Sequence, residues 1–381
     1  MTTMSAEVLV VGGGTMGLAT AWALARRGAK VRVLERFGHV HTRGSHSGET
    51  RVIRHGYHEG SDYVRLVDRA DRAWVELEER VGRPLLRRRG LVEFGVTDHP
   101  EFSAAREALE ANGIEHEMLD ARELARRWPL RMPEAWTATY SPRCGYLEVP
   151  ACLDAFRDEA SAAGVAFEWG TRVMEIVRGD SPALTLEDGR VLRADRIVVA
   201  AGAYAAALLP GLGNRGPRGP VRALRKVLGW VEPAAASVSA LTEMPVWAAF
   251  RDDGFFYGFP HIAGQGFKLA CHTVAVESEV VDPESERAPV GAEELLPLAA
   301  FLADHIPSAG DRWARSETCL YGQSADGHFI VDLDPRCASI VHCLGFSGHG
   351  FKFAPVIGEM AAQLALDGRS ELQLSRFRWE R

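Results

Sequence analysis

The sequence has few of the features that mark several large classes of protein. Its six cysteines include no C-x-x-C pair and, with the histidines, no zinc-ligand spacing, which argues against a metal site. No apolar stretch reaches the roughly 18 residues of a membrane span. The net charge of −7 argues against nucleic-acid binding by bulk positive charge, although a local basic pocket for a small acid is compatible with it.

Two further features bear on location. The cysteines are dispersed, and the first residues, MTTMSAEVLVVGGG, have a short apolar run without the basic leader of a secretion signal. We therefore expect a reduced, cytoplasmic protein with neither a membrane nor a nucleic-acid partner. A chain of 381 residues is long enough for about two or three domains.

The strongest local pattern is EVLVVGGGTMGLATAWALARRGAKVRVLER, near the start of the chain. A buried strand precedes Gly12-x-Gly14-x-x-Gly17, a helix follows, and the second strand, KVRVLE, ends at Glu35. Gly12 permits the tight turn, Gly14 lets a pyrophosphate approach the backbone, and Gly17 lets the helix pack on the strand. A carboxylate at the end of the second strand can accept hydrogen bonds from a ribose hydroxyl. The pattern predicts a βαβ unit that binds a dinucleotide.

The fingerprint alone leaves FAD and NAD open, because both dinucleotides use it. The later segment ADRIVVAAGAY, residues 194–204, predicts a buried strand that ends in a small-residue turn, and GRVLRAD before it alternates like an exposed hairpin strand. A late strand of this kind is common in FAD-binding folds, where it returns to the dinucleotide domain.

A basic cluster, HTRGSHSGETRVIRHGYHEG, occupies residues 41–60. On a helical turn, Arg51 and Arg54 would share a face. The alternative is a solvated basic surface. GSHSG does not fit the G-x-S-x-G nucleophile elbow of a hydrolase. Near the end of the chain, FSGHGFKFAP places Lys352 among three phenylalanines, which suits a lysine that meets an anion; the alternative is a solvated lysine beside a packed turn.

The chain resembles the monomeric sarcosine oxidase and N-methyltryptophan oxidase family, among the D-amino-acid-oxidase-like flavoproteins. The resemblance rests on the segments VVGGGTMG, GSHSGETRVIRHGY, YGFP, KLACHT, TCLYG, HFIVDLDP and GFSGHGFKFAPVIGE, which occur in the family's order between residues 9 and 360. It implies a monomeric FAD enzyme that acts on a small amino acid with O2 as the second substrate.

The fold that the resemblance implies is α/β, with a Rossmann-like FAD-binding domain and a substrate domain built on a largely antiparallel sheet. The FAD domain would be discontinuous, from residues 1–88, 150–225 and 315–381, and the substrate domain would take residues 89–149 and 226–314. The segments RRRGLVEFGV, GWVEPA and GFFYGFP read as strands of that second domain.

The resemblance also implies the cofactor site. Family members attach FAD covalently through the cysteine that matches Cys319, at the flavin 8α-methyl group; without the resemblance, Cys319 reads as a small buried hydrophobe. A glycine at 348 or 350 would let the backbone pass close to the flavin ring. The cofactor-binding residues expected with Cys319 are Gly12, Gly14, Gly17, Glu35, Arg36, Ser45, Thr50, Val173, Gly348, Gly350 and Lys352.

For the substrate, the resemblance implies that Arg54 and Lys352 bind its carboxylate. Lys268 would lie over the flavin and activate O2 as a fixed cation. The other catalytic or cavity-lining residues expected are Arg51, His272, Tyr257 and Tyr321. For the two tyrosines, simple packing is the alternative role.

Two departures from the family's pattern bear on specificity. Family members often read SHHGDTR where this chain reads SHSGETR, so Ser47 replaces a histidine near the ring and Glu49 replaces an aspartate. Ala248 and Ala249 are small where relatives can carry a bulkier side chain, which would let the pocket accept a substrate larger than sarcosine.

The expected reaction is oxidation of a secondary amino acid to an imine, which water hydrolyses to an amine and an aldehyde while O2 becomes H2O2. The motifs present no carboxylate base, so the neutral amine would react. Bulkier or cyclic substrates, such as N-methyltryptophan, proline or pipecolate, are alternatives within the family. The alternatives outside it are an NAD(P)-dependent dehydrogenase and a flavoprotein that binds a small acid or does not use O2.

Overall fold

The computed structural model describes residues 7–209, 221–274 and 279–379. Its strands are β1 (Glu7–Val11), β2 (Lys30–Glu35), β3 (Thr50–Ile53), β4 (Leu86–Arg87), β5 (Leu91–Val96), β6 (Glu117–Leu119), β7 (Trp136–Ser141), β8 (Gly145–Glu148), β9 (Ala166–Trp169), β10 (Val173–Val177), β11 (Ala183–Leu186), β12 (Val191–Arg193), β13 (Arg196–Val199), β14 (Arg222–Val231), β15 (Val246–Arg251), β16 (Gly254–Gly258), β17 (Phe267–Val274), β18 (Trp313–Gln323), β19 (Ile330–Asp334) and β20 (Cys337–Leu344).

The helices are α1 (Thr15–Arg26), α2 (Ser61–Val81), α3 (Pro100–Ala111), α4 (Ala121–Arg127), α5 (Val149–Ala162), α6 (Ala205–Leu208), α7 (Ala235–Thr242), α8 (Ala292–His305) and α9 (Ala354–Asp367). Short 3-10 turns at Gly202–Tyr204 and Phe351–Phe353 lead into α6 and α9.

A six-stranded sheet in the order β19-β20-β13-β1-β2-β9 forms one layer. Its strands run parallel except for β19, which pairs antiparallel with β20. The apolar residues of β1 are buried on both faces of the sheet, one of which packs against α1, as a central parallel strand requires. At Gly17, a Cβ would collide with the carbonyl oxygen of Gly12, so only glycine lets α1 pack this closely on the turn.

A second, eight-stranded sheet has the order β18-β14-β17-β16-β15-β5-β7-β6 and is antiparallel apart from the β15–β5 pair. One face packs against α8 through Trp247, Phe267 and Phe301. The opposite face carries Tyr257 and Lys268, because side chains alternate along each strand. The α/β class, with a Rossmann-like sheet and a largely antiparallel second sheet, confirms the fold that the sequence predicts.

Two smaller sheets have the orders β3-β8-β4 and β10-β11-β12. The first of them corrects the expectation that Arg51 lies on a helical turn. Residues 50–53 form a strand rather than a helical turn, so Arg51 and Arg54 do not share a helical face. Val52 and Tyr146 are partners in this pairing. The segment TRVI forms a strand because three of its four residues are β-branched and because it pairs antiparallel with β8.

The division into domains stays a prediction, and the sheets bear on where its boundaries would lie. The predicted boundary at residue 315 falls inside β18, which pairs with β14 along ten residue positions of the second sheet. The boundary at 225 falls inside β14 in the same way. Residues 210–220, within the predicted second FAD segment, lie outside the described residues.

Over the described ranges, no helix is long and apolar enough to cross a membrane. The same residues contain no group of three or more histidine, cysteine or carboxylate side chains arranged to hold a metal ion. All six cysteines are described, and each is a free thiol.

Candidate active site

A cavity of about 340 Å³ opens at the carboxyl ends of the parallel strands, where α/β folds bind their ligands. The turn between β1 and α1, the end of β2, the loop before β3 and the turn after β13 meet there. Eight of the residues predicted to bind the cofactor line it, namely Gly12, Gly14, Glu35, Arg36, Ser45, Val173, Gly348 and Gly350, together with the predicted catalytic and substrate residues Arg51 and Tyr321.

Glu35 is held at the end of β2 as a carboxylate. Its oxygens accept hydrogen bonds from the backbone N–H of Gly13 at 2.6 Å and of Phe37 at 2.7 Å. Burial opposes the charge, but the bonds from His41, Phe37 and Gly13 hold the pKa of Glu35 below its usual value. Because a carboxylate offers about four lone-pair positions, it can still accept bonds from ribose hydroxyls.

The cavity fits a dinucleotide. Gly12 has φ of +101°, and a Cβ there would lie 2.5 Å from the carbonyl oxygen of Ala200, so the turn stays narrow only with glycine. Two buried polar atoms near the cavity, Nε2 of His46 and Oγ of Ser47, have no hydrogen-bond partner among the described residues. The N-terminus of α1 faces the same space and favours a phosphate. These groups would hold the pyrophosphate and adjoining parts of FAD.

Four residues predicted to bind the cofactor lie outside the lining of this cavity: Gly17, Thr50, Cys319 and Lys352. Gly17 acts through helix packing, as described above. Cys319 is 1% exposed on β18, and burial raises the pKa of its thiol against the opposing charges of Arg51 and Lys268. A different cysteine, Cys343, lines the cavity.

Lys268 links the second sheet to the loop before β3. Its Nζ donates to the carbonyl oxygens of Gly48 and Thr50 and to Oγ1 of Thr50, the last two at 3.1 Å. The side chain is 3% exposed and lies 4.8 Å from the ring centre of Phe259. Burial, followed by the charge of Arg51, lowers the pKa of Lys268 well below its usual value. The position of this nitrogen is therefore fixed by neutral oxygens rather than by a counter-ion.

Arg51 and Arg54 leave β3 in different directions. The guanidinium of Arg51 donates to the carbonyl oxygens of Thr50, Ser45 and Ser47 at 2.7, 2.8 and 2.5 Å, which shapes the loop at the edge of the cavity. Arg54 donates to both oxygens of Glu59 instead, at 2.9 and 3.0 Å. Burial opposes the charge of Arg54, but Glu59 holds its pKa above the usual value.

Lys352 and Arg54 converge on one aromatic ring. The Nζ of Lys352 lies 5.3 Å from the ring centre of Tyr57, and the guanidinium carbon of Arg54 lies 4.3 Å from it. Lys352 also donates to the Tyr57 hydroxyl at 3.3 Å and to the carbonyl oxygen of His349 at 2.9 Å. The lysine is 5% exposed, and burial, with the charge of Arg54, lowers its pKa to about 7. Glu59 already balances one of these two buried cations, so with Lys352 charged the group has a net charge of +1, which one further anion would balance.

Three further predicted residues lie together. Nδ1 of His272 is 3.2 Å from the hydroxyl of Tyr321, and burial lowers the pKa of His272 well below its usual value. Burial also raises the pKa of Tyr257 to about 12, so both tyrosines stay protonated at neutral pH. These groups can orient a bound molecule by hydrogen bonds without adding charge.

The sequence reasoning missed two carboxylates. Glu59, which pairs with Arg54, was readable as an acidic residue inside the basic cluster. Glu93 is 1% exposed on β5, and burial raises its pKa to about 7. The signal for Glu93 was a single acid in the otherwise apolar strand LVEFGV.

Comparisons with known proteins show the family to which the chain belongs. The sequence model of the family described as FAD dependent oxidoreductase matches residues 7–364. The monomeric sarcosine oxidase of Bacillus sp. (strain B-0618) is 35% identical over 376 residues, covering 97% of this chain and 95% of the relative. The N-methyl-L-tryptophan oxidase of Salmonella arizonae is 32% identical over 386 residues, covering 99% of both.

Solved structures add to the comparison. NikD, described as an unusual amino acid oxidase essential for nikkomycin biosynthesis, has a TM-score of 0.82 and 30% identity, with coverage of 99% of this chain and 98% of NikD. The L-proline dehydrogenase from P. horikoshii has a TM-score of 0.83 at 21% identity, over 98% of this chain and 97% of that one, and shows likeness of fold alone.

Proposed function

Because this chain belongs to the FAD-dependent oxidoreductase family and is an amine oxidase of that family, we propose that it oxidises a secondary amino acid. The observation that carries the proposal is the pair of buried cations, Arg54 and Lys352, against the ring of Tyr57. An amino acid offers a carboxylate to this pair and an amine to the space beyond it. Sarcosine is the smallest such substrate.

The reaction removes two electrons and two protons from the CH–NH group and leaves an imine, which water converts to an amine and an aldehyde. Bound FAD would accept the hydride and pass two electrons to O2, which takes up two protons to give H2O2. The substrate reacts as the neutral amine, since Arg54 and Lys352 disfavour a third positive charge, an effect that Glu59 and the substrate carboxylate partly offset.

Each residue of the site then has a role. Arg54 and Lys352 hold the substrate carboxylate, and Lys352 gains charge as it does so, because an anion raises a lysine's pKa. His272 and Tyr321, joined by a hydrogen bond, orient the amine. Lys268, held by Gly48 and Thr50, supplies a fixed donor for O2.

The finer properties belong to the same proposal. FAD is attached through Cys319, and the FAD and substrate domains have the discontinuous boundaries that the sequence predicts. The enzyme works as a cytoplasmic monomer. Its specificity extends beyond sarcosine, since Ala248 faces the same side of the second sheet as Tyr257, its partner on β16.

The test is anaerobic mixing of the yellow protein with excess sarcosine or another N-methyl amino acid. We expect the flavin band to bleach, then to recover with one H2O2 per turnover when air is admitted. A band that shifts but never bleaches with any secondary amino acid would make the protein a binder of small acids. Bleaching without recovery in air would make it a dehydrogenase.

A further inference from the structure

Glu93 occupies a place in the second sheet that the proposed reaction does not use. In the register of the strands, Glu93 on β5 is the partner of Ala248 on β15, and Ala248 is the partner of Tyr257 on β16. Partners in neighbouring strands point to the same face of a sheet. Tyr257 is in turn the partner of Ala270, two residues from Lys268, so Glu93 points to the face that carries the active-site residues.

One carboxyl oxygen of Glu93, Oε1, is buried without a hydrogen-bond partner among the described residues. The side chain of Glu93 is 1% exposed. Buried polar atoms in folded proteins are almost always hydrogen-bonded, and an exception calls for a ligand or another explanation. Ala248, the strand partner between Glu93 and Tyr257, has no polar side-chain atom and offers no donor.

The charges around Glu93 indicate what that ligand group is. Among the residues that the structure describes, the charges of Arg54, Glu59 and Lys352 act on the carboxyl group of Glu93. A substrate carboxylate bound to Arg54 and Lys352 brings these fixed charges, with Glu59, to a sum of zero. Ionised Glu93 would then be the one uncompensated charge, and a buried charge of that kind needs a partner of opposite sign. Without such a partner, burial raises the pKa of Glu93 to about 7, so the neutral form is favoured below that pH.

We infer that Glu93 is a specificity-determining residue that pairs with a basic group at the far end of the substrate. The preferred substrate is therefore a secondary amino acid that carries a second amino or guanidino group, rather than sarcosine itself. This inference rests on the proposed function for the meaning of substrate, and it names the class of substrate.

Binding can be tested without turnover. The probes are pentanoate and 5-aminopentanoate, which differ by a terminal amine, and the readouts are calorimetry and the shift of the flavin band in the holoenzyme. We expect 5-aminopentanoate to bind roughly tenfold more tightly than pentanoate, the scale of one charge-assisted hydrogen bond. Glu93→Gln, which keeps the shape, should remove most of this preference, and Glu93→Leu should reverse it.

A matched control is Glu117→Gln, which removes a glutamate from the edge strand β6 of the same sheet, where it pairs with Arg127 at 2.7 Å. This variant should keep the preference of the wild type. Equal binding of the two probes by the wild type, or an unchanged preference in Glu93→Gln, would overturn the inference.

Kinetics separate this inference from the proposed function. Nα-methyl-L-ornithine and N-methyl-L-norleucine have side chains of nearly equal length, and we expect kcat/KM to favour the first in the wild type and the second in Glu93→Leu. If neither compound bleaches the flavin while 5-aminopentanoate still binds through Glu93, the proposed oxidation fails and the inference about Glu93 stands. If N-methyl-L-norleucine is the better substrate of the wild type, the oxidation stands and the inference fails.

Discussion

Nη2 of Arg54 lies 2.9 and 3.0 Å from the two carboxylate oxygens of Glu59, so the guanidinium predicted to hold a substrate carboxylate already holds one of the protein's own. Burial opposes the charge of Glu59, but Arg54 keeps its pKa below the usual value. A bound substrate would therefore share Arg54 with Glu59, while the hydrogen-bond partners of Lys352 within the described part of the chain are neutral oxygens.

Replacing Glu59 with Gln should destabilise the protein and make its stability depend on an anion. Removing one partner of a largely buried ion pair leaves the other uncompensated, and we expect a loss of about 2 kcal/mol in the free energy of unfolding. Pentanoate should then raise the melting temperature of the variant more than that of the wild type. Equal shifts in the two proteins would contradict a shared role for Arg54.

Binding of a carboxylate should weaken as the pH rises above about 7, the pKa of Lys352 before an anion binds. Below that pH the ammonium is charged and attracts the anion; above it, binding requires uptake of a proton. The dissociation constant of pentanoate should rise by up to tenfold per pH unit in the wild type, as one linked proton requires.

Two variants separate the sources of this pH dependence. Lys352→Met should bind weakly with a flatter profile, since the titrating ammonium is gone. Glu93 also titrates near pH 7, and its ionisation would repel a carboxylate in the same direction, so the profile should be measured in Glu93→Gln as well. A profile that keeps its full slope in Lys352→Met would place the proton elsewhere.

Replacing Lys268 with Met should slow the reaction of the reduced enzyme with O2 by about a hundredfold, the scale of one lost electrostatic contact to a developing charge. Anaerobic reduction by substrate should change much less. Stopped-flow absorbance of the flavin measures the two half-reactions separately. Exposed Lys30→Met is the control for charge alone, and similar slowing of both half-reactions would mean that Lys268 only holds the loop at Gly48 and Thr50.

Acid precipitation should leave the flavin on the wild-type protein and release it from Cys319→Ala. The matched control is Cys343→Ala, because Cys343 lines the cavity while Cys319 lies outside its lining. If the flavin is released from Cys343→Ala and retained in Cys319→Ala, the attachment site is the other cysteine. Release from the wild type would mean that FAD is bound without a covalent bond.

The sequence predicted the dinucleotide half of the molecule well because its signals are local. The strand at residues 7–11, the glycine turn and Glu35 all lie within one short stretch of the chain. The structure has each of them at the position that the sequence pattern predicted. The secondary structure around Arg51 was harder to predict, because this strand forms by pairing with β8, which lies nearly a hundred residues away in the sequence. Local spacing could not reveal that pairing.

The substrate half depends on contacts across the sheet, which a single sequence does not contain. Glu93 joins the active-site face only because the register of three strands aligns it with Ala248 and Tyr257. In the sequence, a single acid in an apolar strand marks Glu93 as unusual, but it does not show which residues of other strands Glu93 faces. Arg54 could be predicted as a carboxylate-binding residue from the family pattern, but its bond to Glu59 could not.

β18 belongs to the second sheet and also contributes residues to the cavity, and this arrangement would affect how the protein unfolds. The strand pairs along β14 in the eight-stranded sheet, yet its Tyr321 and Gly322 line the cavity at the end of the six-stranded sheet. A thioether at Cys319 would make the dinucleotide a bridge in the folded protein, docked on one sheet and bonded to the other. Unfolding of either layer would break contacts of the bound dinucleotide, so the two layers would be expected to melt as one unit.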